Sequence, residues 1–260
     1  MKRLIINIRS NLPPVLFILA LILLWEAAGR LTEMPAYILP QPSAIVQSLL
    51  KDWPVLTLHL RSTIHATFSG LFLAIILALP LSVAMQRFGL LKRTLYPLLV
   101  ISQTIPIIAL APLLMIWFGL GITPKIFVVA LVCFFPLTLN ITEGLDNVDP
   151  ELLELMKVIR AGPWLVFRDV QLPAVLPYLF SGLKIAATYS VMAAVIGEWL
   201  GASYGLGIYM TRVMHSYNTA GLFASILLVV SLSLIIFIAV GIMERIFSPW
   251  KITLKEGEKE

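Results

Sequence analysis

Six stretches of this chain run without Asp, Glu, Lys or Arg, at residues 10–25, 62–86, 94–124, 126–142, 170–197 and 213–243. Lys184 is the one interruption. About 20 mostly apolar residues carry a helix across about 30 Å of hydrocarbon. With flanking residues allowed, the pattern predicts spans at about 10–29, 62–86, 94–118, 124–142, 172–197 and 218–243. Each span is expected to be helical, because an open sheet would leave backbone groups unpaired in lipid. The fold class expected is an all-α membrane protein forming a single transmembrane domain over residues 1–260.

The basic residues give the orientation. With the N-terminus in the cytoplasm, Arg30, Lys51, Arg61, Lys125 and Arg212 fall outside, and the remaining 14 of 19 Lys and Arg fall inside. That excess matches the cytoplasmic bias of positive charge, so six transmembrane helices with both termini cytoplasmic are expected. Composition agrees: 59% of the 260 residues are apolar, 13% are charged, and mean hydropathy is +0.95. A soluble domain would have about 25% charged residues. A soluble enzyme, a disordered chain and a nucleic-acid binder are excluded, and membrane lipid is the expected surroundings. The N-terminus has the outline of a signal peptide, but Trp25 and Glu26 stand between its apolar core and Ala27-Ala28. A retained first span fits better. Cys133 is the single cysteine, which excludes an internal disulfide.

Two connecting segments carry pattern of their own. After Leu39-Pro40-Gln41-Pro42, Ser43 is placed to cap a short amphipathic helix bearing Ile45, Val46, Leu49 and Leu50 on the outer face. Between spans four and five, Asp149 suits an N-cap and Pro150 the first helical position. Glu151 suits the positive end of the dipole. Leu152, Leu155, Met156 and Ile159 then recur on one face until Gly162 and Pro163. A cytoplasmic helix over about 149–162 is expected, with an apolar stripe that needs a partner groove, the membrane surface or its own bundle.

Chemistry of its own is absent from the pattern. The chain has no G-x-x-x-x-G-K-[ST] phosphate loop, no H-E-x-x-H and no Cys/His cluster at metal spacing. His59, His65 and His215 are scattered near span ends. Lys184 is expected to snorkel inward. Glu198 is the main carboxylate inside a span, near its outer end, where a water-interface position is the plainer reading. The chain shows no energy source, so it is passive or is driven by another subunit.

The loop after span four resembles the cytoplasmic signature of the membrane subunit of bacterial ABC importers. That signature reads Glu-Ala-Ala, three residues, Gly, nine residues, Ile, one residue, Leu-Pro. Glu154, Val170, Leu172 and Pro173 stand at the matching positions without a gap. Leu155 and Met156 replace the alanines, and Arg160 replaces the glycine, with Ala161 before a Gly162 two positions late. The segments 39–43, 182–187 and 197–201 look like the nitrate, taurine and sulfonate branch, and the resemblance covers nearly the whole chain.

The resemblance implies a binding-protein-dependent permease of the bacterial inner membrane that is not itself an enzyme. Its partners would be a second copy, two ATPase subunits and an external solute-binding protein. ATP and magnesium would bind the ATPase, with no cofactor in this chain. The loop helix would couple the ATPase to the spans through Glu154, Leu155, Met156, Arg160, Ala161, Gly162, Leu172 and Pro173. Polar residues in apolar spans are the candidates for the solute path: Gln103, Thr104, Asn140, Thr188, Tyr189, Ser190 and Glu198. Each could instead satisfy a neighbouring helix. Residues 181–207 are most similar to branch members associated with pyrimidine precursors of thiamine. Sulfonate, taurine or nitrate is the alternative cargo, and a self-sufficient carrier or channel the alternative class. Pro80, Pro97, Pro106, Pro112 and Pro136 are expected to kink the spans. Gly197, Gly201 and Gly205 are expected either to pack helices closely or to form an outer turn into a re-entrant segment.

Overall fold

The computed structural model describes residues 2–32, 35, 37–199 and 203–249, with side chains from residue 12 onward. In order the helices are α1 (Lys2–Leu31), α2 (Pro42–Lys51), α3 (Trp53–Arg87), α4 (Gly89–Ser102), α5 (Ile107–Phe118) and α6 (Thr123–Asp146). They continue as α7 (Pro150–Val158), α8 (Pro163–Val166), α9 (Leu172–Trp199), α10 (Leu206–His215) and α11 (Thr219–Phe247). A π-turn, Phe167–Gln171, leads from α8 into α9. The described residues contain no strand.

Five helices are long and apolar enough to cross a membrane: α1, α3, α6, α11 and the α8–α9 run. The α4–α5 pair satisfies the same test only together, and its axes bend by 103°. The stretch 94–118, expected as one span kinked by its prolines, is broken into two helices. Its cause is local. Pro106 has no N–H to give back to the preceding turn and holds Ile105 out of the helical region. Pro80, Pro97, Pro112 and Pro136 remain inside continuous helices. The second span also starts earlier than its charge pattern indicates. Residues 53–61, read as connector, are the first turns of α3, because Pro54 at its start is the last breaker.

The chain divides into two compact units. Residues 1–58 and 209–228 form one. In it, Trp25 of α1 packs on Phe223 with ring centroids 5.7 Å apart. Glu26 accepts from the Ser43 N–H (3.0 Å) and its hydroxyl (2.8 Å) and pairs with Arg30. The α2 cap position falls on Gln41, and Ser43 lies in the first turn. Its free N–H is satisfied by Glu26 from α1 rather than by its own side chain. Tyr209 donates to Asp52 at 3.1 Å, and burial beside that carboxylate pushes its hydroxyl above the usual phenol range.

The second unit, residues 59–208 and 229–260, holds the core. Cys133, Leu137 and Ile141 of α6 interleave with Ala186, Ala187, Val191 and Ala194 of α9. Ala66, Ala74 and Ala78 of α3 close the other side. Glycines set these distances. A Cβ on Gly70 would lie 2.4 Å from the Val129 Cβ. One on Gly144 would lie 2.8 Å from the Tyr178 Cβ, and one on Gly182 would lie 3.1 Å from the Asn140 Cβ. Small residues at such contacts let helix backbones approach where no hydrophobic drive separates helix from lipid. Lys184 does not snorkel freely: it pairs with Glu244 of α11. The outward faces stay apolar, with Ile235, Ile238 and Ile246 of α11 exposed.

Candidate functional site: a cavity at a broken helix and a capped loop helix

The break between α4 and α5 opens a cavity of about 620 Å³. Gln103 and Thr104 line it from the corner, Phe135 and Asn140 from α6, and Tyr189 and Met192 from α9. None of its lining residues is charged. Of the seven solute-path candidates, Gln103, Thr104, Asn140 and Tyr189 meet here. Thr188 points elsewhere and donates to the Lys184 carbonyl (3.0 Å). Ser190 is buried and donates to the Ala187 carbonyl (2.9 Å).

Glu198 lies apart from the cavity. It is fully buried rather than at a water interface. Its carboxylate accepts from the Thr63 hydroxyl (2.9 Å) and from the Gly207 N–H (2.9 Å). Thr63 in turn accepts from the Leu206 N–H (2.9 Å), and His59 Nδ1 accepts from the Gly205 N–H (3.0 Å). Lys125, expected outside as a topology residue, is buried. It donates to the Tyr204 carbonyl (2.7 Å), and its charge acts on Glu198. Gly205 has φ +140°, and a Cβ there would stand 2.1 Å from the Glu198 Cδ. Side chains of α3, α6 and α9 thus pin the turn at 203–207. Gly197 is a packing glycine, against Lys125, and Gly205 a turn glycine. Leu200 and Gly201 lie outside the described residues.

The loop helix α7 is shorter than the expected 149–162. Asp149 caps it, accepting from the Glu151 N–H (2.8 Å). At its other end Ala161 N–H donates to the Met156 carbonyl (2.9 Å) and Arg160 N–H to the Lys157 carbonyl (3.0 Å). This pair of bonds is a Schellman cap, whose closing residue is left-handed and is usually glycine. Arg160 fills that position with φ +53°. The signature's glycine therefore falls where the backbone needs one. Gly162 does not end α7; with φ −67° it caps α8. Glu154 and Leu155 are exposed and Met156 is half-buried. No residue of α7 is buried, and Leu152, Leu155, Val158 and Ile159 form an uncovered apolar face. Within the π-turn Val170 is buried, and after it Leu172 and Pro173 open α9.

Over residues 70–250 the sequence matches the family described as the binding-protein-dependent transport system inner membrane component. The chain belongs to that family. The chain is 38% identical over 241 residues to the formylaminopyrimidine transport permease protein ThiX of Halalkalibacterium halodurans, covering 92% of this chain and 96% of that one. It is 29% identical over 237 residues to the putative aliphatic sulfonates transport permease protein SsuC of Bacillus subtilis, covering 89% and 84%. In fold it resembles a subunit of the inward-facing MetNI methionine ABC transporter, with TM-score 0.65 and 22% identity over 73% of this chain and 94% of that one. The matched span contains α7, the cavity and Glu198, while Thr63 and His59 lie before it. It is a transport permease of the branch that includes sulfonate-type members. Its relatives are permeases, not enzymes.

Sequence reasoning missed Thr63 and Phe135. A partial signal existed for the break: the polar run Ser102-Gln103-Thr104 directly before Ile105-Pro106.

Replacing Glu198 by Ala leaves the Gly207 N–H without its acceptor and the Thr63 hydroxyl without the carboxylate it donates to. We expect a loss of about 2 kcal/mol, because a buried polar group left unpaired costs about 1–3 kcal/mol. Glu198→Gln should lose less than half as much. Thermal unfolding of the detergent-purified protein measures both. Arg160→Gly should stabilise the loop by about 1 kcal/mol, the cost of holding an L side chain left-handed. Slower amide exchange across α7 is the readout.

Proposed function

We propose that this chain is the membrane-spanning subunit of an ATP-driven importer in the bacterial inner membrane. The observation that carries this reading is α7, a helix capped at both ends whose apolar face no described residue covers. A helix held this way can transmit a rigid-body push from a partner seated on it. The partner is an ATPase pair, on which ATP and magnesium bind, and this chain contributes no catalytic residue. Glu154, Leu155, Met156, Arg160, Ala161 and Gly162 make or shape the docking surface. Leu172 and Pro173 join it to α9.

The same reading gives six spans, counting α4–α5 as one, with both termini cytoplasmic and residues 1–260 acting as a single permease domain. Two copies form the path, and an external binding protein delivers the solute. Gln103, Thr104, Asn140 and Tyr189 face that solute. Thr188, Ser190 and Glu198 maintain the helices around it.

The cargo is a thiamine-related pyrimidine precursor. The name of the 38%-identical relative and the uncharged cavity both support it. A sulfonate is the second reading, favoured by the 29%-identical relative and opposed by the lack of any cationic lining residue.

Leu155 is 55% exposed, so Leu155→Arg should leave folding intact. Co-purification with the candidate ATPase should yield a stable complex of two permeases and two ATPases. The Leu155→Arg variant should retain roughly a tenth of the ATPase or less, the effect of losing about 1.4 kcal/mol of association energy. Solute uptake by the chain alone in ATPase-free vesicles would overturn the importer reading.

A further inference from the structure

Two of the long apolar helices end at neighbouring points. α3 closes at Arg87 and α6 at Asp146, and Lys92, near the start of α4, pairs with Asp146. The ends of two spans place this junction at a membrane surface. Beside the ion pair lies a groove of about 350 Å³, lined by Gly89, Lys92, Arg93, Tyr96 and Pro97. These positions recur at helical spacing, so they share one face of α4. Gly89 keeps the groove open: a Cβ there would meet nothing within 4 Å. The neighbouring face, Leu90, Leu98 and Ile101, is apolar and exposed, while Leu99 is buried. The groove therefore runs along the seam between α4 and lipid.

Its charge is only partly offset. Asp146 neutralises Lys92. Arg93 is exposed, as is Arg87, two residues before Gly89. Among the described residues no carboxylate pairs with either arginine. Phosphate is an anion that a planar guanidinium matches, through two parallel N–H···O bonds. The Tyr96 hydroxyl adds an uncharged donor, and its ring suits headgroup depth. A free anion would use only the cations. A phospholipid also needs an apolar wall continuous with them, and Leu90, Leu98 and Ile101 supply it.

We propose that this groove on α4 binds an anionic phospholipid, with its phosphate on Arg93 and Tyr96 and its chains along Leu90, Leu98 and Ile101. An occupied site ties the start of α4 to the membrane surface. The site requires only that α3, α4 and α6 stand in a membrane, whatever the chain transports.

Native mass spectrometry of the full chain, released from detergent micelles, counts the phospholipids it keeps. Phosphatidylglycerol should bind roughly tenfold more tightly than phosphatidylcholine of the same chains, the preference that one or two cations near the surface supply. Arg93→Ala should weaken phosphatidylglycerol roughly fivefold and leave phosphatidylcholine unmoved. Gly89→Leu keeps every charge but fills the groove, and should weaken phosphatidylglycerol severalfold too. It carries the test if Arg93→Ala fails to fold. Arg245→Ala removes an exposed cation near the end of α11, outside the groove, and should change nothing. Inorganic phosphate should not displace the lipid. Equal affinity for the two lipids, equal losses in Arg93→Ala and Arg245→Ala, or undiminished binding by Gly89→Leu would overturn the site and leave diffuse attraction. Displacement by inorganic phosphate would overturn it in favour of a free anion. Loss of the candidate ATPase in Arg93→Ala with lipid binding unchanged would overturn it in favour of a protein partner.

Discussion

Gly144, Gly182 and Gly197 let α6 and α9 approach until a single added methyl group would collide with the facing helix. The rest of the second unit depends on that approach. It brings Asn140 and Tyr189 to one cavity wall and sets Lys125 beside the Glu198 network. In lipid the drive for such packing is van der Waals contact and hydrogen bonding rather than exclusion of water. Close glycine contacts are therefore how this pair gains its hold, and the buried alanines along α9 extend it.

Against this rigid pair the chain sets two irregular features. One is the corner at 103–106, where Pro106 removes the hydrogen bond that would continue α4 into α5. The other is the turn at 203–207, which would leave polar backbone groups buried were it not for Thr63, His59, Lys125 and Glu198. The two irregularities are handled in opposite ways. At the turn, side chains from three helices satisfy the backbone. At the corner, the oxygens are left to the cavity. That contrast supports the proposal that the corner lies on the solute path.

Much of this was legible in the residues. Charge-free stretches located the long helices because charged groups are costly in hydrocarbon. The Asp149-Pro150-Glu151 start of α7 was legible because capping is local chemistry. Its end was not: Arg160 in a left-handed position looks like an ordinary helical residue until the Schellman bonds show the turn. Glu198 was equally opaque, since its partners Thr63 and Gly207 lie on separate segments. Prolines alone could not locate the break, because four of five sit inside continuous helices, where neighbouring groups accommodate them. What distinguishes Pro106 is the polar run before it.

The central claim is that cargo passes the corner between α4 and α5, driven by nucleotide. A thiol at Thr104 tests it most directly, because the native Cys133 is fully buried and should stay silent to polar reagents. In the assembled transporter, a membrane-impermeant maleimide should label Thr104→Cys from one side without nucleotide and from the other with ATP trapped. Solute should slow both reactions. Labelling from neither side, or from one side regardless of nucleotide, would contradict the account.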